Sequence, residues 1–272
     1  MAVKADCHLH THHSADTDTP MEAMIERAIE LSLDTVCFTE HNDFGFPESY
    51  ELPGKVWELN ADSYLYELLE MREKYKDKIR VLFGVEIGLQ PQYMRENAIF
   101  AKAHEYDFII GSTHLVDGKD PYYAESFDGQ NDDEIYRKYF EETLVNLKKN
   151  SNYDVAGHLD YVVRYGKNKD RDYSYEKYKD VIDEILRTLI DKGKGLELNT
   201  GGLKSGLKDL HPSKDILKRY RELGGEIITI GSDAHKPENI GEYFDRACET
   251  LKDCGFNYYS VYEKRVAEFR KL

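Results

Sequence analysis

The sequence predicts an α/β fold in which seven strand–helix units form one closed or nearly closed barrel over residues 1–272. Short β-branched or aromatic runs alternate with longer amphipathic stretches, a pattern typical of right-handed βαβ units around a parallel sheet. No Pro/Gly/Ser-rich linker divides the 272 residues, which favours a single domain over two small ones. Every candidate strand also ends in polar residues, as strands do at the catalytic rim of a barrel. A doubly wound open sheet is the alternative architecture.

The first strand is predicted at residues 3–10, and the first helix follows Thr19, which is expected to cap it before Pro20 at the first helical position. Two later helices are predicted over 132–150 and over 174–193, the second ending at Gly193. The other strands are predicted, in chain order, at 35–41, 79–87, 107–114, 153–159, 194–199 and 226–233.

Composition and charge exclude several classes of function. The net charge of −15 disfavours a nucleic-acid partner, because phosphate neutralisation needs an excess of Lys and Arg. The sequence has neither an apolar run of about 18 residues nor an N-terminal hydrophobic leader, so we expect no membrane span and no secretion. Its 4 cysteines form no CxxC pair, which fits a cytoplasmic protein and offers no thiolate zinc site.

Histidines are concentrated where the candidate strands end. The strand ends read CHLH, TEH, GVEIG, GSTH, GHLD, LELN and GSDAH. In a parallel barrel all of these ends meet on one rim. Six of the 10 histidines lie there, a number that random placement would not produce: His8, His10, His41, His114, His158 and His235.

These strand ends predict a metal site. His8 and His10 are two residues apart, so both side chains face the same side of a strand, and Asp233 repeats this spacing with His235. Glu86 lies inside an apolar strand, where a carboxylate is costly unless it is paired or bound to metal. Imidazoles and carboxylates without thiolates suit Zn, Mn or Fe. Nine candidate ligands are enough for two or three divalent ions that share a bridging carboxylate and hold a nucleophilic hydroxide.

The motifs, taken in order, resemble a known family. DCHLHTHHSAD, FTEHND, GVEIG, GSTH, GHLD, LELNT and GSDAH cover about residues 6 to 235, and the series is similar to the polymerase-and-histidinol-phosphatase (PHP) superfamily of metallohydrolases. The resemblance implies a distorted (β/α)7 barrel with a trinuclear metal site at its C-terminal rim and no organic cofactor.

The resemblance also implies the ligand sets. Glu86 would bridge the first and second ions, and Asp16 would take the place that holds histidine in some relatives. The adjacent His12 and His13 are interpreted as solvated loop histidines. The implied ligands are His8, His10, Glu86 and Asp233 for the first ion, Glu86, His114 and His158 for the second, and His41, His235 and Asp16 for the third.

Within the superfamily, the chain is most similar to the branch that hydrolyses L-histidinol phosphate in histidine biosynthesis. Arg164 follows the fifth strand, where its guanidinium could bind a phosphate monoester through two hydrogen bonds. Lys204 is a weaker second candidate for a phosphate contact. Asp160 could orient a ligand or protonate the leaving alkoxide. His211 could face the rim or simply lie in the loop before Ser213, which is expected to cap the next helix.

Three other functions remain open. A related PHP phosphoesterase could act on nucleotides or on phosphotyrosine proteins. A barrel amidohydrolase would also begin with His-x-His, but a carboxylated Lys commonly bridges its metals, whereas Glu86 occupies that strand end here. A non-catalytic binding module would be expected to lack several ligands. The sequence does not predict the oligomeric state.

Overall fold

A computed structural model of the chain describes residues 3–48, 54–123 and 129–272. Seven parallel strands pair in chain order, so each strand lies beside the next one in the sequence. All seven predicted strands are confirmed, as β1 Ala5–Leu9, β2 Thr35–Asn42, β3 Arg80–Gly88, β4 Phe108–Ser112, β5 Val155–Ala156, β6 Gly195–Asn199 and β7 Ile228–Gly231.

The end of β7 returns to β1 and nearly closes the barrel. The amide of Asp233 donates to the carbonyl of His8 at 2.9 Å, and the amide of His10 donates to Ala234 at 3.0 Å. A doubly wound sheet would need a non-sequential strand order, and the open-sheet alternative is therefore wrong.

The helices lie outside the sheet and cover it. The predicted helix over 132–150 begins with a capping box between Asn131 and Glu134. The helix predicted from residue 174 begins with a 3₁₀ turn, and its chain reverses at Gly193, whose φ is +65°. The α-helices are α1 Met21–Glu30, α2 Ala61–Tyr75, α3 Met94–Ala103, α4 Asp132–Lys149, α5 Lys179–Asp191, α6 Gly201–Lys204, α7 Lys214–Glu222 and α8 Phe244–Asp253.

The predicted Thr19 cap of α1 is wrong. The carbonyl of Pro20 starts the helical hydrogen bonds, and no side chain caps the first turn. Thr19 instead donates its hydroxyl to the carbonyl of His235 at 2.7 Å. The hydroxyl therefore joins the β1–α1 loop to the loop after β7. Ser213 does precede α7, but its side chain makes no capping hydrogen bond.

A C-terminal hairpin was not predicted. Strands β8 Tyr258–Glu263 and β9 Val266–Lys271 pair antiparallel around a tight turn at Lys264 and Arg265, which have φ of 50° and 64°. Arg265 reaches residues that directly precede β4 and β5: its amide donates to the carbonyl of Asp107 and its Nε to the carboxylate of Asp154. The hairpin turn therefore packs against the end of the barrel opposite the histidine-rich rim.

The remaining sequence predictions concern the thiols and the membrane. All four cysteines are free and buried. Among the described residues, no helix combines the length and hydropathy needed to cross a bilayer.

Candidate metal centre

Glu86 lies at the centre of the rim and is fully buried. Its Oε1 lies 2.8 Å from Nε2 of His158 and 3.1 Å from Nε2 of His114. Its Oε2 lies 3.2 Å from Nε2 of His8 and 3.1 Å from Nδ1 of His41. The two oxygens of one carboxylate therefore face separate pairs of imidazoles, which is the geometry of a bridging ligand.

A second convergence joins the ends of β1 and β7. Nε2 of His8 and Nε2 of His10 are 3.0 Å apart. Oδ1 of Asp233 lies 3.7 Å from the first nitrogen and 3.4 Å from the second. Asp233 has a φ of 54°, a strained conformation for a residue other than glycine, and such strain is concentrated at functional sites.

The third group lies on the outer side of the same rim. Oδ2 of Asp16 lies 2.9 Å from Nε2 of His235 and 3.6 Å from Nε2 of His41. The ring of His10 stacks against both of the other imidazoles, with its centroid 4.2 Å from that of His41 and 4.3 Å from that of His235. The loop after β1 and the ends of β2 and β7 form this third group. The three groups together bring the nine predicted ligands to one rim.

Oxygen atoms behind four of the imidazoles fix their tautomers. Nδ1 of His8 lies 2.5 Å from Glu197, and Nδ1 of His114 lies 2.7 Å from Asp43. The hydroxyl of Ser14 and the carbonyl of Asp233 lie 3.1 Å from Nδ1 of His10 and His235 respectively. A proton held on each Nδ1 leaves the Nε2 lone pair directed at the centre, as in carboxylate–histidine–metal arrangements. Two such lone pairs 3.0 Å apart repel each other unless a proton or a metal ion lies between them.

The charge balance also fits cations. Burial disfavours protonation of His8, but Glu197, Glu86 and Asp233 outweigh it and raise the pKa of the imidazole. Burial similarly opposes ionisation of Glu86, yet the surrounding histidines hold the pKa of its carboxyl well below its usual range. Without metal, protons on some of the imidazoles, among them His8 and His114, therefore balance the carboxylates, whereas burial lowers the pKa of His10 and His158. Divalent ions can replace these protons, and the donor set suits Zn, Mn or Fe.

Glu197, Asp43 and Ser14 were missed in the sequence. Glu197 lies in the buried strand segment GLELN, and the argument that identified Glu86 applies to it equally. Its second oxygen accepts a hydrogen bond from the amide of His158 at 2.8 Å. One carboxylate therefore orients both His8 and the backbone of His158. Asp43 and Ser14 lie in loops without a comparable signal, and only the folded chain brings them behind the histidines.

Arg164 lines the cavity that opens onto these ligands. The cavity has a volume of about 380 Å³. The guanidinium lies 4.2 Å from the ring centroid of Tyr161 and 3.8 Å from Oδ2 of Asp233. Stacking on an aromatic ring holds the planar guanidinium in place beside the metal centre. Phe46 and Trp57, stacked at 4.1 Å, form another wall of this cavity.

Asp160 does not line this cavity. Its buried carboxylate lies 2.5 Å from Nδ1 of His211, and it accepts the amide of Ser213 at 2.9 Å and the hydroxyl of Tyr173 at 3.1 Å. The sequence left an orienting role and an acid role open for Asp160, and these contacts do not favour protonation of the leaving group. They fit an orienting role, which is exerted on His211 and the loop before α7.

Lys204 is likewise placed differently from the prediction, since it does not line the cavity. Its ammonium donates to the carbonyls of Ser232 at 2.7 Å and Asp233 at 3.2 Å. Lys204 therefore supports the backbone that presents Asp233, and its position does not favour a direct phosphate contact.

The interpretation of His13 as a solvated loop residue is wrong. Its side chain is only 9% exposed, whereas that of His12 is 40% exposed. Both imidazoles contact Glu67 of α2 and neither lines the cavity. They form a group separate from the nine predicted ligands.

Comparisons to known proteins agree with the fold. The PHP domain model matches residues 6–201. The histidinol-phosphatase of Lactococcus lactis is 33% identical over 260 residues, which cover 95% of this chain and 94% of the relative. A probable histidinol-phosphatase of Clostridium acetobutylicum is 33% identical over 266 residues, covering 97% of this chain and 98% of the relative.

A solved structure is similar over nearly the whole chain. The crystal structure of Lactococcus lactis histidinol phosphate phosphatase, complexed with zinc, L-histidinol and phosphate, superposes with a TM-score of 0.88 at 31% identity. The match covers 97% of this chain and 98% of that one.

Proposed function

The chain belongs to the PHP domain family, and from this premise we propose that it hydrolyses L-histidinol phosphate to L-histidinol and inorganic phosphate. Relatives at 33% identity over nearly their full lengths are named histidinol-phosphatases or probable histidinol-phosphatases. The similar crystal structure contains both products of this reaction. The chain is therefore a phosphoric monoester hydrolase of amino-acid biosynthesis.

One observation carries the proposal: a single cavity presents a metal-binding set of imidazoles and carboxylates together with an arginine. His41, His114 and His158 reach it from three strand ends, and Arg164 faces it from the segment after β5. A volume of about 380 Å³ lies in the range of small-molecule sites. These features suit a small phosphate ester better than a folded phosphoprotein.

We assign the metal sites from the three convergent groups. Bound divalent ions supply positive charge for the phosphoryl oxygens and lower the pKa of water, which makes a nucleophile available near neutral pH. Zn, Mn and Fe all suit this donor set, and two or three ions would fill it. The proposed ligands are His8, His10, Glu86 and Asp233 for one ion, Glu86, His114 and His158 for a second, and His41, His235 and Asp16 for a third.

The chain's own side chains bind and orient the ester. The Arg164 guanidinium donates hydrogen bonds to two phosphoryl oxygens, and Tyr161 keeps the guanidinium in that orientation. Phe46 and Trp57 provide an apolar wall for the imidazole and carbon skeleton of the substrate and displace water from it. Glu197 and Asp43 hold the protons of His8 and His114 on Nδ1, away from the reaction centre.

Other substrates and reactions fit less well. The net charge of −15 opposes binding of a polynucleotide. An amidohydrolase would place a modified lysine between its metals, but Glu86 bridges the imidazole pairs here. Four free and buried thiols favour the reducing cytoplasm as the place where the enzyme works.

The test is phosphate release by the purified protein with Mn or Zn. L-histidinol phosphate, nucleoside monophosphates and a phosphotyrosine peptide would be compared at equal concentration. We expect kcat/KM for L-histidinol phosphate to exceed that of the others by at least about tenfold, which corresponds to about 1.4 kcal/mol of discrimination. A preference for nucleotides would reject the substrate assignment, and absence of any phosphate release from the metal-loaded protein would reject the reaction.

A further inference from the structure

We propose that His12, His13 and Glu67 form a peripheral binding site for a divalent transition-metal ion, separate from the catalytic cluster. Nε2 of His12 lies 3.1 Å from Oε2 of Glu67, and Nε2 of His13 lies 2.8 Å from the same oxygen. All three ligand atoms lie within 4.8 Å of one another. Two imidazoles and one carboxylate make a complete three-residue set for zinc.

The distances suit an ion with little rearrangement. Metal–ligand distances of about 2.1 Å in a tetrahedral site place neighbouring ligand atoms about 3.4 Å apart. The two nitrogen–oxygen distances, 2.8 and 3.1 Å, are short of this by a few tenths of an ångström. The His12 side chain is 40% exposed, so water can reach the fourth position.

The loop that carries both histidines is held in place from behind. Thr11 donates its hydroxyl to Glu40 at 2.7 Å, and Ser14 donates to the same carboxylate at 2.5 Å. The amide of His12 donates to the carbonyl of Thr19 at 2.9 Å. These bonds on both sides of the pair fix the backbone, so the imidazoles are oriented before an ion arrives.

Glu67 is fixed by the packing of α2. Its neighbours Tyr64 and Leu68 are fully buried, which anchors the helix turn on either side of the carboxylate. The ring of Tyr64 also lies 5.5 Å from that of His13. An ion bound here would connect the β1–α1 loop, which begins at His10 and includes Asp16, to the outer helix α2.

The alternative is that two neutral imidazoles simply donate to one carboxylate oxygen. The two cases differ in what zinc does to the protein. Three side chains that are only hydrogen-bonded to one another bind no additional ion. A metal site takes up one equivalent of zinc, and this binding stabilises the folded protein by mass action.

The experiment uses the holoenzyme, dialysed until it retains only its tightly held ions, and titrates it with zinc by calorimetry. The variants are His12→Ala, which removes an exposed ligand, and Glu67→Gln, which keeps the shape but removes the charge. His104→Ala is the matched control, because His104 contacts one acid, Asp62 at 3.4 Å, and belongs to no three-ligand group among the described residues.

We expect the parent and His104→Ala to bind one more equivalent of zinc than either site variant, and zinc to raise their Tm by several degrees more. Turnover of L-histidinol phosphate should stay within about twofold in all four proteins, because none of these changes affects a cavity residue. A zinc-soaked crystal should show an anomalous peak between the three side chains. Equal stoichiometry in all four proteins, or zinc peaks only elsewhere, would overturn the proposal while leaving the phosphatase assignment intact.

Discussion

Both ends of the barrel bury carboxylates, but the two ends give them different partners. At the hairpin end, Asp107 accepts the amide of Phe83 at 2.9 Å and the guanidinium of Arg72 at 3.0 Å. Asp154 at the same end accepts the amide of Ile109 at 2.8 Å and Nε of Arg265 at 2.5 Å. At the rim, the carboxylates face a ring of histidines instead.

The difference shows which buried charges are structural. An arginine keeps its proton at any ordinary pH, so each pair at the hairpin end is complete by itself. An imidazole can release its proton, and a carboxylate surrounded by imidazoles is therefore ready to exchange protons for a metal ion. Changes at the rim should affect metal content and turnover, whereas changes at the hairpin end should affect the free energy of unfolding.

The largest effect is expected for His114→Ala at the rim. The change removes a proposed ligand 3.1 Å from Glu86, together with its bond to Asp43. Turnover should fall by about 10³-fold or more, because a lost ion removes several kcal/mol of transition-state stabilisation. Bound metal, measured by elemental analysis, should decrease in parallel. Full activity with unchanged metal content would show that His114 is not a ligand.

Arg164→Ala should have the next largest effect. Loss of a bidentate phosphate contact is expected to lower kcat/KM for L-histidinol phosphate by about 10²-fold, while metal content stays at the parent level. Arg164→Lys should recover only part of this loss, because an ammonium cannot donate a bidentate pair of hydrogen bonds or stack on Tyr161 as a guanidinium does. Steady-state kinetics at saturating Mn would measure both. Equal activity of the parent and the alanine variant would contradict a phosphate contact.

Much of the barrel and rim could be predicted from the sequence. The strands are short, largely apolar runs between helical stretches, and their polar ends place residues as distant as His8 and Asp233 on one rim. The sequence could not decide between the two roles open for Asp160, nor place the Lys204 ammonium, because both orientations depend on the loops around His211 and Ser232. The hairpin was missed because its strands alternate exposed and buried residues only weakly and lie beyond the last motif.

Arg265→Ala tests the hairpin end. The change leaves the Asp154 carboxylate, which is 6% exposed, without its guanidinium partner. Urea denaturation should show a loss of about 2 kcal/mol, less than for a fully buried pair because the arginine side chain is 30% exposed. Metal content and kcat of the folded variant should match those of the parent. A fall in bound metal comparable to that of His114→Ala would remove the distinction between the two ends.

The smallest effect is the pH dependence of metal uptake, which should depend on the rim and not on the hairpin end. Burial opposes protonation of His41, but the carboxylates of Asp16 and Glu86 outweigh it and raise its pKa to about 9 in the metal-free protein. A group with a raised pKa is protonated below that value, so zinc must displace its proton at neutral pH. Apparent zinc affinity should therefore rise with pH up to about 9, by as much as tenfold per unit for each proton released. Calorimetry of chelator-treated protein in two buffers of different ionisation enthalpy would count these protons, and Arg265→Ala should release the same number as the parent. Zinc binding without proton release at pH 7 would mean that the imidazoles are already neutral, and that the rim carboxylates are balanced in some other way.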